Sequence, residues 1–162
     1  MSRLITNSIE ATSGTFGPTM SSKPCFYAYM SSGSFAPDAS NATKTPLNAT
    51  EVNIGDCWNI YSHEFTAPIA GTYSISWGVT FGADADEGRY MANRIYKNGS
   101  QIGSAHRNRP TTAQGGNQYS GVDLSMMLPF AVGETFYVIL QPSSTITVAA
   151  EYGTYMQGFL IG

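Results

Sequence analysis

The chain has 162 residues, a formal net charge of −3 at pH 7 and a charged fraction of only 12%. This length suits one domain with a core of its own. The acidic balance excludes the basic surface that nucleic-acid binding needs, and no apolar run is long enough for a membrane-spanning helix. Glycine, tyrosine and small polar residues are abundant instead, which is typical of a β-sandwich with short strands and many turns.

Residues 1–24 differ from the rest of the chain because turn formers and helix breakers dominate them. Their few apolar side chains, among them Leu4, Ile5 and Ile9, cannot form a core. We therefore predict an extended attachment arm or linker over 1–24 and a jelly-roll head domain over 25–162. The arm lacks the apolar core and cleavage site of a signal peptide, so we do not expect secretion by that route.

The head is predicted to begin with a strand at 25–30 (CFYAYM), followed by a long polar loop at 31–48 and an apolar segment at 52–62. The stretch from Phe65 to Phe81 begins with a predicted corner at Pro68 and Gly71, where glycine can take the positive φ that a tight turn needs. Its second half alternates strictly. A period of two predicts a strand with one large apolar face, formed by Tyr73, Ile75, Trp77, Val79 and Phe81. Because no part of the chain reads as a long helix, a second sheet must cover that face.

The C-terminal half continues this pattern. Asn98-Gly99 is a strong hairpin signal, residues 119–128 alternate again, and the strand at 135–141 (TFYVILQ) is apolar on both faces. Two further strands are predicted at 145–150 and 154–161. About ten short strands without a helix predict an all-β sandwich of the jelly-roll type.

Four stretches carry a family resemblance in a fixed order. They are FTAPIAGTY at 65–73, YKNG at 96–99, the segment from Tyr119-Ser120-Gly121 to Gly133-Glu134, and YMQGFLI at 155–161. Together they resemble the jelly-roll superfamily that includes the globular heads of the first complement component and tumour necrosis factor. The resemblance covers residues 25–162 and implies a homotrimer.

The two-faced strand at 135–141 offers a physical reason for a trimer. A two-layer sandwich covers only one of its faces, so the other needs either a loop or another copy of the chain. We favour three copies around an axis. The residues predicted to line the interface are Tyr27, Tyr29, Tyr137, Ile139 and Met156.

The segment ITNSIEATSGTFGPTMSSKP, within residues 1–24, resembles the leader of structural proteins in tailed phages. This resemblance implies a protein of the virion surface that contacts other capsid or tail proteins. The predicted function is therefore a trimeric structural head that decorates the capsid or tips a fibre and adheres to the host. The alternative is a free-standing trimeric recognition domain that binds glycan or protein ligands.

Enzymatic residues are sparse. The only histidines are His63 and His106, and a nucleophile elbow is absent from the sequence, so we expect neither an enzyme nor a cofactor. A carbohydrate-active enzyme needs only two carboxylates, yet no spacing singles out a pair. Asp84, Asp86 and Glu87 form an acidic turn that could bind calcium, although a solvated turn is the simpler interpretation.

Two further features bear on partners. Cys25 and Cys57 are too few for a disulfide framework and lack metal-binding spacing, so we expect two half-buried thiols. The polar loops at 31–48 and 107–118 supply the amide and hydroxyl groups that sugars pair with. They offer little aromatic surface for stacking, so a host-surface glycan is a candidate ligand without an assigned site.

Overall fold

A computed structural model of the chain describes residues 23–37, 43–81, 91–102, 106–108, 120–142, 148–149 and 153–162. Within these ranges the chain forms strands, turns and bends, and no helix that could cross a membrane occurs. The predicted arm residues Leu4, Ile5 and Ile9 and the acidic turn with Asp84, Asp86 and Glu87 lie outside the described residues.

Fourteen strands are present in the described residues. In chain order they are β1 (Cys25–Tyr29), β2 (Ser34–Phe35), β3 (Thr43–Lys44), β4 (Ala49–Ile54), β5 (Trp58–Asn59), β6 (Glu64–Thr66), β7 (Gly71–Phe81), β8 (Met91–Lys97), β9 (Ser100–Gln101), β10 (His106–Asn108), β11 (Ser120–Phe130), β12 (Thr135–Pro142), β13 (Val148–Ala149) and β14 (Tyr155–Leu160).

These strands form two antiparallel sheets. Sheet A has the order β2-β13-β7-β14-β1-β4, with β11 on the other side of β7. Sheet B has the order β10-β8-β12-β6-β5, while β3 pairs with β12 and β9 with β8. The prediction of an all-β jelly-roll sandwich is confirmed. The strand count is higher than expected because several short bridges interrupt the segments predicted as loops, including β2 and β3 within 31–48.

Strand β7 lies at the centre of sheet A. It pairs with β11 along its whole length and with β14 from Tyr73 to Gly78. The predicted alternation holds, because Tyr73, Ile75, Trp77 and Val79 are all buried. This strand therefore divides sheet A into an inner face, packed against sheet B, and an outer face.

The core between the sheets is built around aromatic rings. Phe65 of β6 lies 5.2 Å from the ring of Phe26, 5.1 Å from that of Tyr73 and 5.2 Å from that of Phe130. The polar ends of two buried rings are paired: the Trp58 indole donates to the Leu47 carbonyl at 3.2 Å, and the Tyr73 hydroxyl donates to the Ile69 carbonyl at 2.9 Å. Satisfied polar ends let these large rings be buried without a desolvation cost.

The two faces of β12 differ in burial. Phe136, Val138 and Leu140 are buried in the core, whereas Tyr137 and Ile139 are half-buried on the outer face of sheet B. Part of this outer face is covered from within the chain, since Lys44 Nζ lies 4.2 Å from the Tyr137 ring centroid. Within the single chain, β12 is therefore fully buried on one face and half-buried on the other.

The segment 52–62, predicted as one apolar run, is split into β4 and β5. Gly55 and Asp56 both take positive φ angles, of 81° and 50°, which a continuous strand cannot accommodate. The Asn53 side chain bridges the break, because its amide donates to the Trp58 carbonyl at 3.0 Å and its oxygen accepts from the Trp58 amide at 2.9 Å. This pair of bonds joins an edge of sheet A to an edge of sheet B.

A polar network closes one end of the sandwich. The Glu134 carboxylate accepts from Asn98 Nδ2 at 2.7 Å and from the Ala131 amide at 2.8 Å, and it pairs with Lys97 at 2.7 Å. The hydrogen bond from Lys97, with help from the Ala131 amide, holds the pKa of Glu134 below its usual range. The predicted Asn98-Gly99 hairpin is confirmed and is tied here to the turn between β11 and β12.

Candidate functional site

The outer face of sheet A presents three rows of side chains across its strands. Residues that pair directly share a face of the sheet, so the pairing register defines each row. The first row is Ile54, Cys25, Phe159, Ser74 and Met127; the second is Val52, Tyr27, Gln157, Ser76 and Ser125; the third is Ala49, Tyr29, Tyr155, Gly78 and Asp123. We call this surface the tyrosine face.

Large apolar side chains are exposed along the first two rows. Met127 is 70% exposed and Phe159 is 54% exposed, while Val52 and Ile54 are about 40% exposed. Side chains of this size on one contiguous face are unusual for the surface of a monomer, and they mark an interaction surface.

Three tyrosines pack together on the same face. The Tyr27 ring lies 5.8 Å from the rings of both Tyr29 and Tyr155. Gly78 makes room for Tyr155, because a Cβ atom at position 78 would lie 2.7 Å from Asp123 Oδ1 and closer still to the Tyr155 ring. The absence of a side chain at this position therefore shapes the tyrosine cluster.

The tyrosine face is nearly free of charge. Its three rows contain one carboxylate, that of Asp123, and no lysine or arginine. Partial burial raises the pKa of Tyr155, and the neighbouring Asp123 carboxylate raises it further. Tyr155 is thus held as a neutral hydroxyl, and a face with tyrosine and methionine but few charges has the composition of an interface core.

The structure separates the five predicted interface residues into three groups. Tyr27 and Tyr29 lie on the tyrosine face, whereas Tyr137 and Ile139 lie on the outer face of sheet B, on the opposite side of the sandwich. The assignment of Met156 to an interface is wrong, because its side chain is 1% exposed and belongs to the core. It points inward because Tyr155 and Gln157, its neighbours on β14, point outward.

Several exposed members of the tyrosine face were missed from the sequence. Met127 is the one large apolar side chain in the otherwise polar or small set of β11. In β14 both residue sets contain apolar side chains, so period-two alternation does not say whether Phe159 is outside. The residue that indicates which side of β14 faces outward is Gly158, which precedes Phe159. A Cβ at Gly158 would lie 2.7 Å from Phe26 Cε1 in the core, which fixes Gly158 inside and Phe159 outside.

Within the described ranges no group of three or more His, Cys, Asp and Glu could hold a metal ion. His63 Nδ1 lies 3.2 Å from the Leu47 carbonyl oxygen and so has a structural contact.

Both cysteines are free thiols. Cys25 is half-buried as expected, whereas Cys57 is fully buried and its thiol donates to the Ile54 carbonyl at 2.8 Å. Burial raises the pKa of Cys57 to about 11, so this sulfur is a protonated, unreactive core atom at neutral pH.

No protein-family model and no curated protein sequence matches the chain. Solved structures do match. The chain is similar to the globular domain of zebrafish complement 1qA protein, with 16% identity and a TM-score of 0.59 over 86% of this chain and 98% of that one. It is also similar to Eiger TNF from S. frugiperda, with 5% identity and a TM-score of 0.62 over 86% of this chain and 93% of that one. The chain therefore has the jelly-roll sandwich fold of the complement and tumour necrosis factor type.

Proposed function

We propose that the chain is the non-enzymatic head of a homotrimeric recognition protein, assembled through the tyrosine face. The observation that carries this proposal is the exposed, nearly uncharged row of apolar and tyrosine side chains on the outer face of sheet A. Only residues close to a three-fold axis meet their own copies in the other two subunits. The tyrosine face would therefore line the axis, and neighbouring surface would complete each interface between two subunits.

The energetics favour the tyrosine face over the outer face of sheet B. Burying apolar surface stabilises association by roughly 25 cal/mol per Å², and Met127, Phe159 and Val52 have the most such surface left to bury. On sheet B, Tyr137 already stacks on Tyr96 at 5.1 Å and is covered by Lys44. The placement of Tyr137 and Ile139 at the trimer axis, as expected from the sequence, therefore remains a prediction. Assembly through these two residues would bury less additional apolar surface than assembly through the tyrosine face.

A charge on the tyrosine face is expected to abolish assembly. Phe159→Glu leaves the single chain folded, because the side chain is already 54% exposed. In a trimer it would bury three unpaired carboxylates, each costing several kcal/mol. Light scattering should give three times the 17.4 kDa chain mass for the unmodified protein and the mass of one chain for the variant.

Two variants sharpen this test. Val132→Glu adds the same charge at a position that is 66% exposed but lies on the turn after β11, so it should remain trimeric. Tyr137→Glu places the charge on sheet B and should also remain trimeric. A trimer that survives Phe159→Glu, or that only Tyr137→Glu dissociates, would contradict assembly through the tyrosine face.

The proposal extends to the surface of a tailed-phage particle, with residues 1–24 as the attachment arm. Its support is the resemblance of the N-terminal segment to the leaders of phage structural proteins. The last two arm residues already contact the head: the Leu160 amide donates to the Pro24 carbonyl at 3.0 Å, and Lys23 Nζ donates to the Ile161 carbonyl at 2.8 Å. A truncation that keeps the head intact should therefore end before Lys23.

Removal of residues 1–22 is expected to leave a folded trimer that no longer attaches to particles. The segment has too few apolar groups to offset an ordering cost of about 1–2 kcal/mol per residue alone, so its contacts would come from a partner, as in strand addition. Co-sedimentation with particles that lack the protein measures attachment. Equal sedimentation of intact and truncated trimers would refute the arm's role, and an intact trimer that binds no particle would favour the free-standing recognition domain.

A further inference from the structure

A shallow cleft lies at the edge of the sandwich where β4 is followed by β5 and the turn into β6. Its volume is about 260 Å³. It is lined by Asn53, Asp56, Trp58, Asn59, Ile60 and Tyr61. Tyr61 is the most exposed large hydrophobic side chain in the described residues, at 88%, and none of the lining residues belongs to the tyrosine face.

The backbone around this cleft is held rigidly. Both amide atoms of Asn53 are hydrogen-bonded to the Trp58 backbone. The Asn59 side-chain oxygen accepts from the amides of Tyr61 and Ser62 at 2.9 and 3.1 Å, which fixes the turn that presents the tyrosine ring. A preformed turn of this kind avoids the ordering cost that a ligand would otherwise have to offset.

Three polar groups at the cleft are unused within the described part of the chain. The Asp56 carboxylate, the Asn59 side-chain NH2 and the Tyr61 hydroxyl make no hydrogen bond there. Asp56 is held in this position at a φ of 50°, a left-handed conformation that asparagine also tolerates. The lining of the cleft therefore combines an exposed aromatic ring, an acceptor and a donor with the side chains of Trp58 and Ile60.

We propose that this cleft binds a single neutral sugar unit, so that the recognition head proposed above, on which this inference rests, is a glycan-binding one. Sugars combine an apolar C–H face with a rim of hydroxyls. The Tyr61 ring can pack against the apolar C–H face. The Asp56 carboxylate can accept hydrogen bonds from the hydroxyls, and the Asn59 NH2 can donate hydrogen bonds to them. The volume, smaller than that of drug-sized pockets, suits one ring rather than an extended ligand.

Other ligand classes fit less well. The lining contains no lysine or arginine, so a phosphate or another anion would face the Asp56 carboxylate without a counter-charge. An apolar ligand would leave that carboxylate unpaired at its edge. An organic cation would find one carboxylate and one ring, but not the aromatic cage that such ligands prefer, and it would leave the Asn59 donor without an acceptor.

Saturation-transfer difference NMR on the full chain tests this inference. The probes are methyl α-D-mannopyranoside, methyl β-D-galactopyranoside and N-acetylglucosamine, with choline chloride and methyl phosphate as charged comparisons whose methyl protons can be observed. At least one glycoside should bind with a Kd on the order of millimolar, as a single weakly held sugar does. Tyr61→Ala should weaken that binding at least about tenfold, while Tyr61→Phe, which keeps the ring, should remain within about threefold of the unmodified chain.

Matched variants separate binding from folding. Asp56→Asn preserves the left-handed turn and removes the charge, so it should weaken the glycoside severalfold without changing the melting temperature. Val132→Ala alters another exposed site, away from the cleft, and should bind as the unmodified chain does. Saturation transfer to choline or methyl phosphate alone, to no probe, or to a glycoside equally in Tyr61→Ala would overturn the sugar site.

Light scattering on the same samples keeps the two proposals distinct. A chain that binds a glycoside through Tyr61 but remains a monomer contradicts the trimeric head and supports the cleft. A trimer that Phe159→Glu dissociates, but that binds none of the probes, supports the trimeric head and overturns the cleft.

Discussion

Phe65→Ala is expected to lower the free energy of unfolding by about 3–5 kcal/mol, the usual loss when a large aromatic side chain is removed from a core. Phe65 is fully buried and its ring lies within about 5 Å of three other aromatic rings. The three rings belong to sheet A and Phe65 belongs to sheet B, so the cavity cannot close unless the two sheets move together. Denaturant unfolding followed by tryptophan fluorescence measures the loss.

The measurement needs one protein concentration throughout, because the stability of an oligomer depends on it. Tyr61→Ala removes a ring of similar size from an 88% exposed position and should change the free energy of unfolding by less than about 0.5 kcal/mol. If Phe65→Ala cost no more than this control, the ring cluster could not be the centre of the core.

Gly71→Val is expected to destabilise the protein by about 2–4 kcal/mol through overpacking and lost hydrogen bonds. A Cβ at this position would lie 2.6 Å from Leu160 Cδ1 and 2.9 Å from the Gly162 carbonyl oxygen. That carbonyl accepts from the Thr72 amide at 2.7 Å, so moving it away breaks a bond that holds the last residues to β7. Thermal unfolding reports the loss as a lower melting temperature.

Gly133→Val is the matched control for this substitution. Gly133 takes a φ of 81° in a turn where nothing lies within 4 Å of the added Cβ, so its cost comes from backbone strain alone, about 1–2 kcal/mol. Gly71 has a φ of 157°, which L residues rarely adopt, so Gly71→Val adds crowding to a backbone cost and should lose more stability than Gly133→Val. A smaller loss at Gly71 than at Gly133 would contradict the close approach of Gly162.

The corner at Gly71 shows how sequence reasoning can find the right residue for an incomplete reason. The sequence marks a turn that needs glycine, and a positive φ is the expected requirement. The structure shows that the stronger requirement is the passage of residues 160–162, which are far away in the sequence. Only the folded chain brings those atoms together.

Several features follow from the sequence alone because their causes are local. Strict alternation from Tyr73 to Val79 determines a strand with a buried aromatic face, since successive side chains point to opposite sides. Asn98 and Gly99 have φ angles of 49° and 74°, as the tight hairpin turn requires. The lack of helical periodicity then leaves a sandwich of two sheets as the way to cover the strands.

Other features were decided only by tertiary contacts. On β14 both residue sets are partly apolar, so the phase of the alternation was ambiguous, and the close contact of Gly158 with Phe26 placed Met156 inside and Phe159 outside. A shift of one residue moves every side chain of a strand to the opposite face. Met156 was therefore predicted on the outer face of β14 although it lies in the core, whereas Tyr27 and Tyr29 of β1 were predicted on the outer face, where they lie.

The candidate sites depend on the same distinction. The sequence of β12 shows that both of its faces are apolar. Which outer face of the sandwich keeps uncovered apolar surface depends on Lys44 and Tyr96, because strand pairing brings both side chains to Tyr137. The residues that line the cleft at Tyr61 lie close together in the sequence. The cleft also requires the two hydrogen bonds between the Asn53 side chain and the Trp58 backbone, which take the place of strand pairing there. The sequence thus determined the strands and their alternation, whereas long-range pairing decided which side chains remained exposed, because exposure depends on neighbours that periodicity does not identify.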